Sequence, residues 1–311
     1  MGKITQEERM RNYYKIYGQI YEWPIMSLLD IAVNTGLSRN TVSKYLQEMY
    51  TKNIIVGPHL RMNPSSNYRE YVYLLNFADP WLVFKGLEQF PHVLYHGITF
   101  GDWNTLVITD SLLDFSKLIG FQEVVYRGVR GYSSTPKGKH LTWDEWFKTV
   151  NTQVARADLH QMEYKNRVLP HLPWEKDEWK LYHAFKYNLR RKVTPLLKKI
   201  NVRYETYMKW METLETYCST HTGFYPEGYN TYMSYCFLFV TDAKEVHSLF
   251  SLVPTTPFII GLGHHLLVFA SIPSLHVTRM SCLIYHMKAK NLIREYKQAV
   301  VLFHHQCQLF L

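Results

Sequence analysis

SLLDIAVNTGLSRNTVSKYLQEMY, residues 27–50, is the stretch of this chain that says most about its fold. Apolar residues follow helical spacing on both sides of Thr35 and Gly36. Gly36 suits the positive φ of a sharp turn, and the hydroxyl of Ser38 suits the first unpaired N–H groups of a following helix. The pattern predicts two short helices joined by a tight turn, a helix-turn-helix.

The second of these predicted helices, from about residue 39 to residue 50, has a polar side opposite Val42 and Leu46. In helix-turn-helix proteins the second helix lies in the major groove of DNA. We expect Arg39 and Lys44 to contact phosphates and Asn40 and Ser43 to contact bases. The predicted DNA-contacting residues of this helix are Ser38, Arg39, Asn40, Thr41, Ser43, Lys44 and Gln47. A helix pair that only packs, as in many enzymes, is the alternative.

Two strand-like runs follow, at residues 53–56 and 68–73, with turn residues between them. They predict a hairpin that serves as a wing, on which Arg61 and Arg69 contact phosphates. Residues 71–132 then alternate between strand and helix in the order β-α-β-β-α-β, with the second helix at residues 111–119. This order is typical of a ferredoxin-like domain, whose helices cover one face of an antiparallel sheet.

The same plan repeats about 165 residues further along the chain. Residues 193–214 match the first helix-turn-helix in apolar register, with Lys209 at the position of Lys44, and residues 232–304 repeat the strand and helix order. Residues 133–139 are predicted to be a turn or a mobile stretch, and residues 143–147 a helix. The fold class is therefore α+β, with predicted domains at residues 1–70, 71–135, 136–173 (a linker), 174–230 and 231–311.

Composition restricts the function further. The 311 residues are 47% hydrophobic and 20% charged, which excludes extended disorder. Lys and Arg exceed Asp and Glu by 35 − 26 = 9, and residues 137–209 alone contribute 16 − 8 = 8 of this excess. A basic surplus favours a polyanion such as double-stranded DNA as the partner.

Several classes of site lack a sequence signature. The four cysteines are spaced 18, 46 and 25 residues apart, without a Cys-x-x-Cys pair, so reduced thiols and no metal site are expected. The histidines, including His264, His265 and His304, are expected to be ordinary ones, because adjacent histidines in a strand point to opposite faces. No phosphate-binding loop or bilayer-spanning segment occurs, so we expect a cytoplasmic protein with no cofactor and no membrane partner.

The arrangement resembles the leucine-responsive/asparagine regulator family, the Lrp/AsnC-like transcription factors. The resemblance rests on residues 37–43, LSRNTVS, and residues 99–103, TFGDW, which are similar to the Gly-Leu-Ser-x-x-Thr-Val and Thr-Gly-x-Asp patterns of that family. Family members usually carry one such unit and dimerise through their open sheet faces. The resemblance implies that this chain is an intrachain pseudo-dimer; further homodimerisation would restore symmetry.

The same resemblance implies sequence-selective DNA binding that responds to a small effector, commonly an amino acid, held near the turn at Gly101. The expected effector-binding residues are His96, Gly101, Asp102, Trp103, Gly263 and His264. The second unit departs from the pattern, since Arg203 stands in place of Ser38 and Glu205 in place of Asn40. Arg203 and Lys209 are its expected DNA contacts.

Two alternatives to a non-enzymatic transcriptional regulator stay open. Siroheme decarboxylases are similar to the same family in fold, and in them a turn rich in His and Arg faces the carboxylates of a tetrapyrrole. This chain has His96 on the equivalent strand, but Gly101, Asp102 and Trp103 follow where an Arg-x-His run is expected. The other alternative is a protein-interaction scaffold with a degenerate helix-turn-helix.

Overall fold

The structure is a computed structural model that describes residues 5–157 and 169–306. Within these ranges the chain forms ten α-helices and eleven β-strands, a mixed α and β fold with antiparallel sheets, as predicted. The helices are α1 (Gln6–Glu22), α2 (Leu28–Thr35), α3 (Arg39–Thr51), α4 (Pro80–Gly86), α5 (Trp143–Arg156), α6 (Lys176–Phe185), α7 (Val193–Ile200), α8 (Tyr204–Tyr217), α9 (Lys244–Phe250) and α10 (Val277–Ala289). The strands are β1 (Ile55–Met62), β2 (Tyr71–Phe77), β3 (Val93–Gly101), β4 (Thr105–Thr109), β5 (Phe121–Val129), β6 (Ser133–Ser134), β7 (Cys218–Phe224), β8 (Met233–Val240), β9 (Phe258–Gly261), β10 (His265–Ile272) and β11 (Glu295–Gln306).

The first three helices have the local geometry that the sequence predicts. Ser27 and Ser38 accept hydrogen bonds from the first turns of α2 and α3, and Gly36 has a φ of 72° at the turn between them. The buried faces of α1, α2 and α3 share one core, which includes Tyr17, Ile31 and Leu46. Residues 176–217 form a second group of three helices, α6, α7 and α8, around a core of their own.

The strand pairing predicted for the wing is wrong. β1 does not pair with the strand that follows it but lies antiparallel to β7, more than 150 residues away, and together they form a two-stranded sheet. The next strand, β2, belongs to the large sheet. The two helical units are therefore joined through their strands.

The other nine strands described form one sheet, in the order β5-β2-β4-β3-β11-β8-β10-β9-β6. Each half contributes four strands to this run. Numbered by sequence within each half, they lie across the sheet in the same order, fourth, first, third, second: β5-β2-β4-β3 in the first half and β11-β8-β10-β9 in the second. They meet where β3 pairs with β11, from Gly101 opposite Ala299 to Tyr95 opposite Gln306. The last strand of the second half thus completes the sheet of the first half.

One core contains residues from the sheets of both halves. Val72, Leu74 and Leu106 from the first half pack in one cluster with Leu238 and Leu267 from the second. The opposite sides of the sheets carry separate cores, beneath α4 in the first half and beneath α5, α9 and α10 in the second. Both faces of each half of the sheet therefore contribute residues to a core.

The first half lacks the second helix that we predicted for residues 111–119. Only a short 3₁₀ turn forms there, at Phe115–Lys117. The carboxylate of Asp114 accepts a hydrogen bond from the Ser116 N–H at 3.1 Å, a local turn that competes with a helix. As a result, Val124 and Val129 of β5 are 48% and 45% exposed.

Of residues 133–139, predicted to be a turn or a mobile stretch, residues 133–138 lie packed within the fold. β6 pairs with β9, and Pro136 and Gly138 are buried. The helix predicted at residues 143–147 is longer than expected, since α5 reaches Arg156. In the ranges that the structure covers, no helix has the length and apolar content needed to cross a bilayer.

Candidate functional site

The predicted DNA-reading side of α3 lies on the surface. Arg39, Asn40, Ser43, Lys44 and Gln47 are all exposed. Their opposite side, with Val42 and Leu46, is buried in the first helical core. The structure therefore brings these five side chains together on one open helix face.

The remaining two predicted contacts of α3 are Ser38 and Thr41, at its first turn. The Ser38 hydroxyl accepts from the Thr41 N–H at 3.1 Å and lies 2.9 Å from the Thr41 hydroxyl. Both side chains hold the start of the helix in place. Glu48, the acidic residue of this helix, accepts a hydrogen bond from the Tyr13 hydroxyl, which lowers the pKa of Glu48.

The other predicted DNA contacts lie away from that face. Arg61 is on β1, partly buried, with its guanidinium 6.0 Å from the ring centre of Phe258. Arg69 is exposed in the loop before β2, which is not a wing tip, because β1 and β2 do not pair. Arg203 and Lys209 are exposed on the second helical unit, and Arg203 begins α8 without a side-chain cap bond.

The turn predicted to hold an effector joins the two halves of the sheet. A Cβ at Gly101 would lie 2.3 Å from the Gln298 carbonyl oxygen, so the backbone approach there requires glycine. The carboxylate of Asp102 accepts from the Gln298 N–H at 2.7 Å, and the Asp102 N–H donates to the Gln298 carbonyl at 2.9 Å. Trp103 is fully buried in the shared core. Gly101, Asp102 and Trp103 thus each have a structural role in joining the two halves. Trp103 has no exposed surface with which to contact a ligand.

The other predicted effector residues lie apart from this turn. His96 is buried on the α4 side of the sheet, where its ring contacts Phe84 and His305, and burial lowers its pKa to about 4. Gly263 has a φ of 65° in the turn before β10. His264 is exposed there and its Nδ1 lies 2.6 Å from Asp242. The structure does not gather the six predicted residues into one pocket.

A cavity of about 460 Å³ occurs elsewhere, where three distant segments meet. One wall is β1, with His59 and Arg61, and a second is the start of β3 with the end of β4. The third wall is α6, from the second helical unit. This volume is within the range of small-molecule and cofactor sites.

Aromatic rings make up much of the cavity wall. Trp179 and Tyr182 of α6 lie edge to face, with ring centres 5.9 Å apart, and Tyr68 lies 5.6 Å from Trp179. Across from them is Tyr95 of β3. Burial raises the pKa values of Tyr68, Tyr95 and Tyr182, so all three phenols are neutral at physiological pH.

The fixed positive charges of the lining are Arg61 and Lys186. Burial, reinforced by the charge of Arg61, lowers the pKa of His59 to about 4. Burial, reinforced by Lys186, lowers that of His183 to about 4. Both imidazoles are therefore neutral at pH 7 and supply hydrogen-bonding groups without a charge.

Both carboxylates of the lining have cationic or imidazole partners. Glu70 is paired with the buried guanidinium of Arg130 at 2.6 Å and accepts from the Tyr68 hydroxyl at 3.0 Å. Asp110 lies 2.8 Å from Nδ1 of His92. Protein groups thus hold both acids, and Arg61 and Lys186 are the permanent cations of the lining.

His92 is oriented by two contacts on its own side of the cavity. Its Nδ1 lies 2.8 Å from Asp110 and 3.2 Å from the Ser111 hydroxyl. Its backbone has a φ of 67°, which is unusual for a residue other than glycine. An imidazole held at Nδ1 by a carboxylate has Nε2 left for a ligand, as in acid–base sites.

Of the residues that line this cavity, only Arg61 is among the site residues predicted from the sequence, as a phosphate contact. Residues 179, 182, 183 and 186, from α6 and its C-cap, share one side of a helix by their spacing and fall within the basic span of residues 137–209. That spacing was the available signal. No group of three or more potential metal-ligating side chains occurs in residues 5–157 and 169–306.

Comparison with known proteins assigns no family. No protein-family model matches the chain, and no curated protein matches its sequence. Solved structures that resemble it include the siroheme decarboxylase NirDL, with 11% identity, a TM-score of 0.49, and coverage of 95% of this chain and 92% of that one. A second is NirDL in complex with an iron-uroporphyrin III analogue, with 10% identity, a TM-score of 0.48 and the same coverage.

Proposed function

We propose that the cavity binds a flat, carboxylate-bearing tetrapyrrole and that the protein is a decarboxylase of such a compound. The observation that carries the proposal is the lining itself, in which Arg61 and Lys186 stand beside aromatic walls and neutral histidines. Rings stack on a flat conjugated ligand, and cations bind its carboxylates. Siroheme, an iron tetrapyrrole with several carboxylates, is the substrate class we favour.

The chemistry requires only groups of the kinds present. Loss of one acetate carboxylate is R–CH₂–CO₂⁻ + H⁺ → R–CH₃ + CO₂, in which the C–C bond electrons stay on carbon and take up the proton, with no net redox change. Carboxylates that remain would be held by Arg61 and Lys186. The one that leaves would lie against Tyr95 or Trp179, where low polarity favours loss of its charge. The proton would come from Nε2 of His92 in its doubly protonated form, in which Nδ1–H donates to Asp110, and solvent would then return a proton to Nε2.

A binding experiment and a product experiment test the two parts separately. Iron uroporphyrin III, titrated into the protein, is expected to give a saturable change in the Soret band. Lys186→Ala should weaken binding about tenfold, through loss of a charged contact, whereas Lys85→Ala, a charge deletion on the exposed side of α4, should leave it unchanged. Siroheme under anaerobic conditions should then lose carbon dioxide, and His92→Gln should slow that loss without weakening binding. No Soret change in the wild type would disprove the proposal.

A second candidate function is DNA binding by α3. The five predicted contacts exposed on one face of that helix, with no carboxylate among them, favour it. Gel shifts on genomic fragments at two salt concentrations should show salt-dependent binding that the Arg39→Ala and Lys44→Ala double variant loses. Lys85→Ala and Lys117→Ala together remove two exposed charges elsewhere and serve as the control. If the α3 variant binds as tightly as the wild type, α3 does not read DNA.

A further inference from the structure

The helix that lines the cavity has a counterpart in the first half of the chain. α6 and its C-cap residue contribute Trp179, Tyr182, His183 and Lys186 to the cavity. The sequence repeat has an offset of 165 residues. Subtracting 165 from each position gives the corresponding residues of α1, which are Tyr14, Tyr17, Gly18 and Tyr21. α6 packs against β1, and α1 packs against β7. The two-unit plan thus supplies two corresponding places for a ligand.

The place beside α1 is taken by the chain itself. The Tyr21 hydroxyl donates to the Thr135 carbonyl at 2.7 Å, and the Tyr14 hydroxyl donates to the Gly138 carbonyl at 2.8 Å. The Lys137 ammonium lies 2.8 Å from the Glu22 carboxylate and 5.7 Å from the centre of the Tyr21 ring. These contacts hold residues 133–138, here called the inner segment, along α1.

Gly18 makes room for the inner segment. A Cβ at this position would lie 3.6 Å from Nζ of Lys137, in van der Waals contact, so the Lys137 side chain lies directly over Gly18, where the second unit has His183. The strand wall also takes part, since the imidazole of His221 on β7 lies 3.2 Å from both the Ser133 and the Thr135 hydroxyls. His221 is directly opposite the cavity residue His59 in the β1–β7 pair.

We propose that the inner segment fills the position beside α1 that corresponds to the cavity beside α6. The chain then binds one ligand, although its repeated fold has two corresponding positions. The ligand class in this inference rests on the proposed function above, but the occupied position does not. The open position is lined by Lys186 and His183. The closed one is filled by Lys137 and by backbone carbonyls that bind the α1 tyrosines.

Stoichiometry is the first test. Titration of the full chain with iron uroporphyrin III, followed at the Soret band, is expected to end at one porphyrin per chain, and Lys186→Glu should abolish the tight phase. Two porphyrins per chain, or one retained tightly by Lys186→Glu, would overturn the inference. If the wild type binds none, the proposed function fails, and the inference is decided by the second test.

The second test needs no ligand. Hydrogen exchange of peptides covering residues 133–138 should be slower than in an unstructured chain, and Tyr14→Phe with Tyr21→Phe should speed it about tenfold, because two hydrogen bonds to the inner segment are lost. Tyr50→Phe, which removes a hydroxyl bound to the Gly57 carbonyl instead, is the matched control. Exchange in the wild type at the rate of an unstructured peptide would refute an internal occupant.

Discussion

The hydroxyl of Ser38 holds the first turn of α3, where it accepts a hydrogen bond from the Thr41 N–H. We expect Ser38→Ala to lower the free energy of unfolding by about 1 kcal/mol, the usual cost of a lost helix cap. Ser43→Ala, at an exposed position of the same helix, is the control and should change stability little. Urea denaturation followed by circular dichroism measures both. An equal effect of the two substitutions would mean that the cap bond does not stabilise the helix.

Two buried histidines make stability depend on pH. His96 is 1% exposed and His221 is 6% exposed, and burial, more than any neighbouring charge, lowers their pKa values to about 4 and about 3. In the unfolded chain these histidines have an ordinary pKa near 6.5. Between that pH and the lower native pKa values, the unfolded state binds more protons than the native state, so stability falls as the pH drops below about 6.5.

The expected loss between about pH 7.5 and about pH 5.5 is roughly 1 kcal/mol for each of the two histidines. Urea midpoints across this range measure it. His221→Asn should remove about half of the combined loss from the two histidines. A midpoint that is constant over this range would contradict the prediction.

At the scale of elements, the turn between β3 and β4 and the turn before β10 provide a matched pair of glycines. At Gly101, φ is 151° and a Cβ would overlap Gln298 and Ala299 of β11, whereas at Gly263, φ is 65° and a Cβ would meet nothing within 4 Å. We expect Gly101→Ala to cost about 3 kcal/mol or more, and Gly263→Ala to cost about 1 kcal/mol, the backbone strain alone. Thermal and urea unfolding of the two variants compare them. Equal costs would show that the contact with β11 is loose.

Some elements could be predicted from sequence because their signals are local. Gly36 and Ser38 mark the turn and the cap of α3 within a few residues of each other. The pairing of β1 with β7 has no such signal, since adjacent strands usually pair and the true partner lies more than 150 residues away. The predicted helix at residues 111–119 failed because its apolar spacing was outweighed by the local turn at Asp114.

The cavity could not be predicted either, because its walls come from segments that are distant in sequence. His59, Tyr95 and Lys186 come from three segments that only the completed fold brings together. The resemblance directed attention to the turn at Gly101, where the structure instead shows a bond between the sheet halves. What the sequence did contain was a repeat offset of 165 residues, and that offset identified α1 as the counterpart of α6.

For the whole molecule, we expect one unfolding transition rather than two. The halves share the β1–β7 pair, the β3–β11 pair and a common core, so neither half is complete alone. Tryptophan fluorescence and far-ultraviolet circular dichroism should therefore give coincident urea curves. A resolved second transition, with one half unfolding first, would show that these contacts contribute little to stability.

The position of β11 also affects how the protein is made. This strand lies between β3 and β8, in the interior of the nine-stranded sheet, yet it comes last in sequence among the strands described. While the ribosome is still synthesising residues 295–306, the nascent chain already contains β3 and β8, each with an edge waiting for its neighbour. Unpaired edges of this kind invite aggregation. The growing polypeptide is therefore most in need of a chaperone in the period before residues 295–306 have been made.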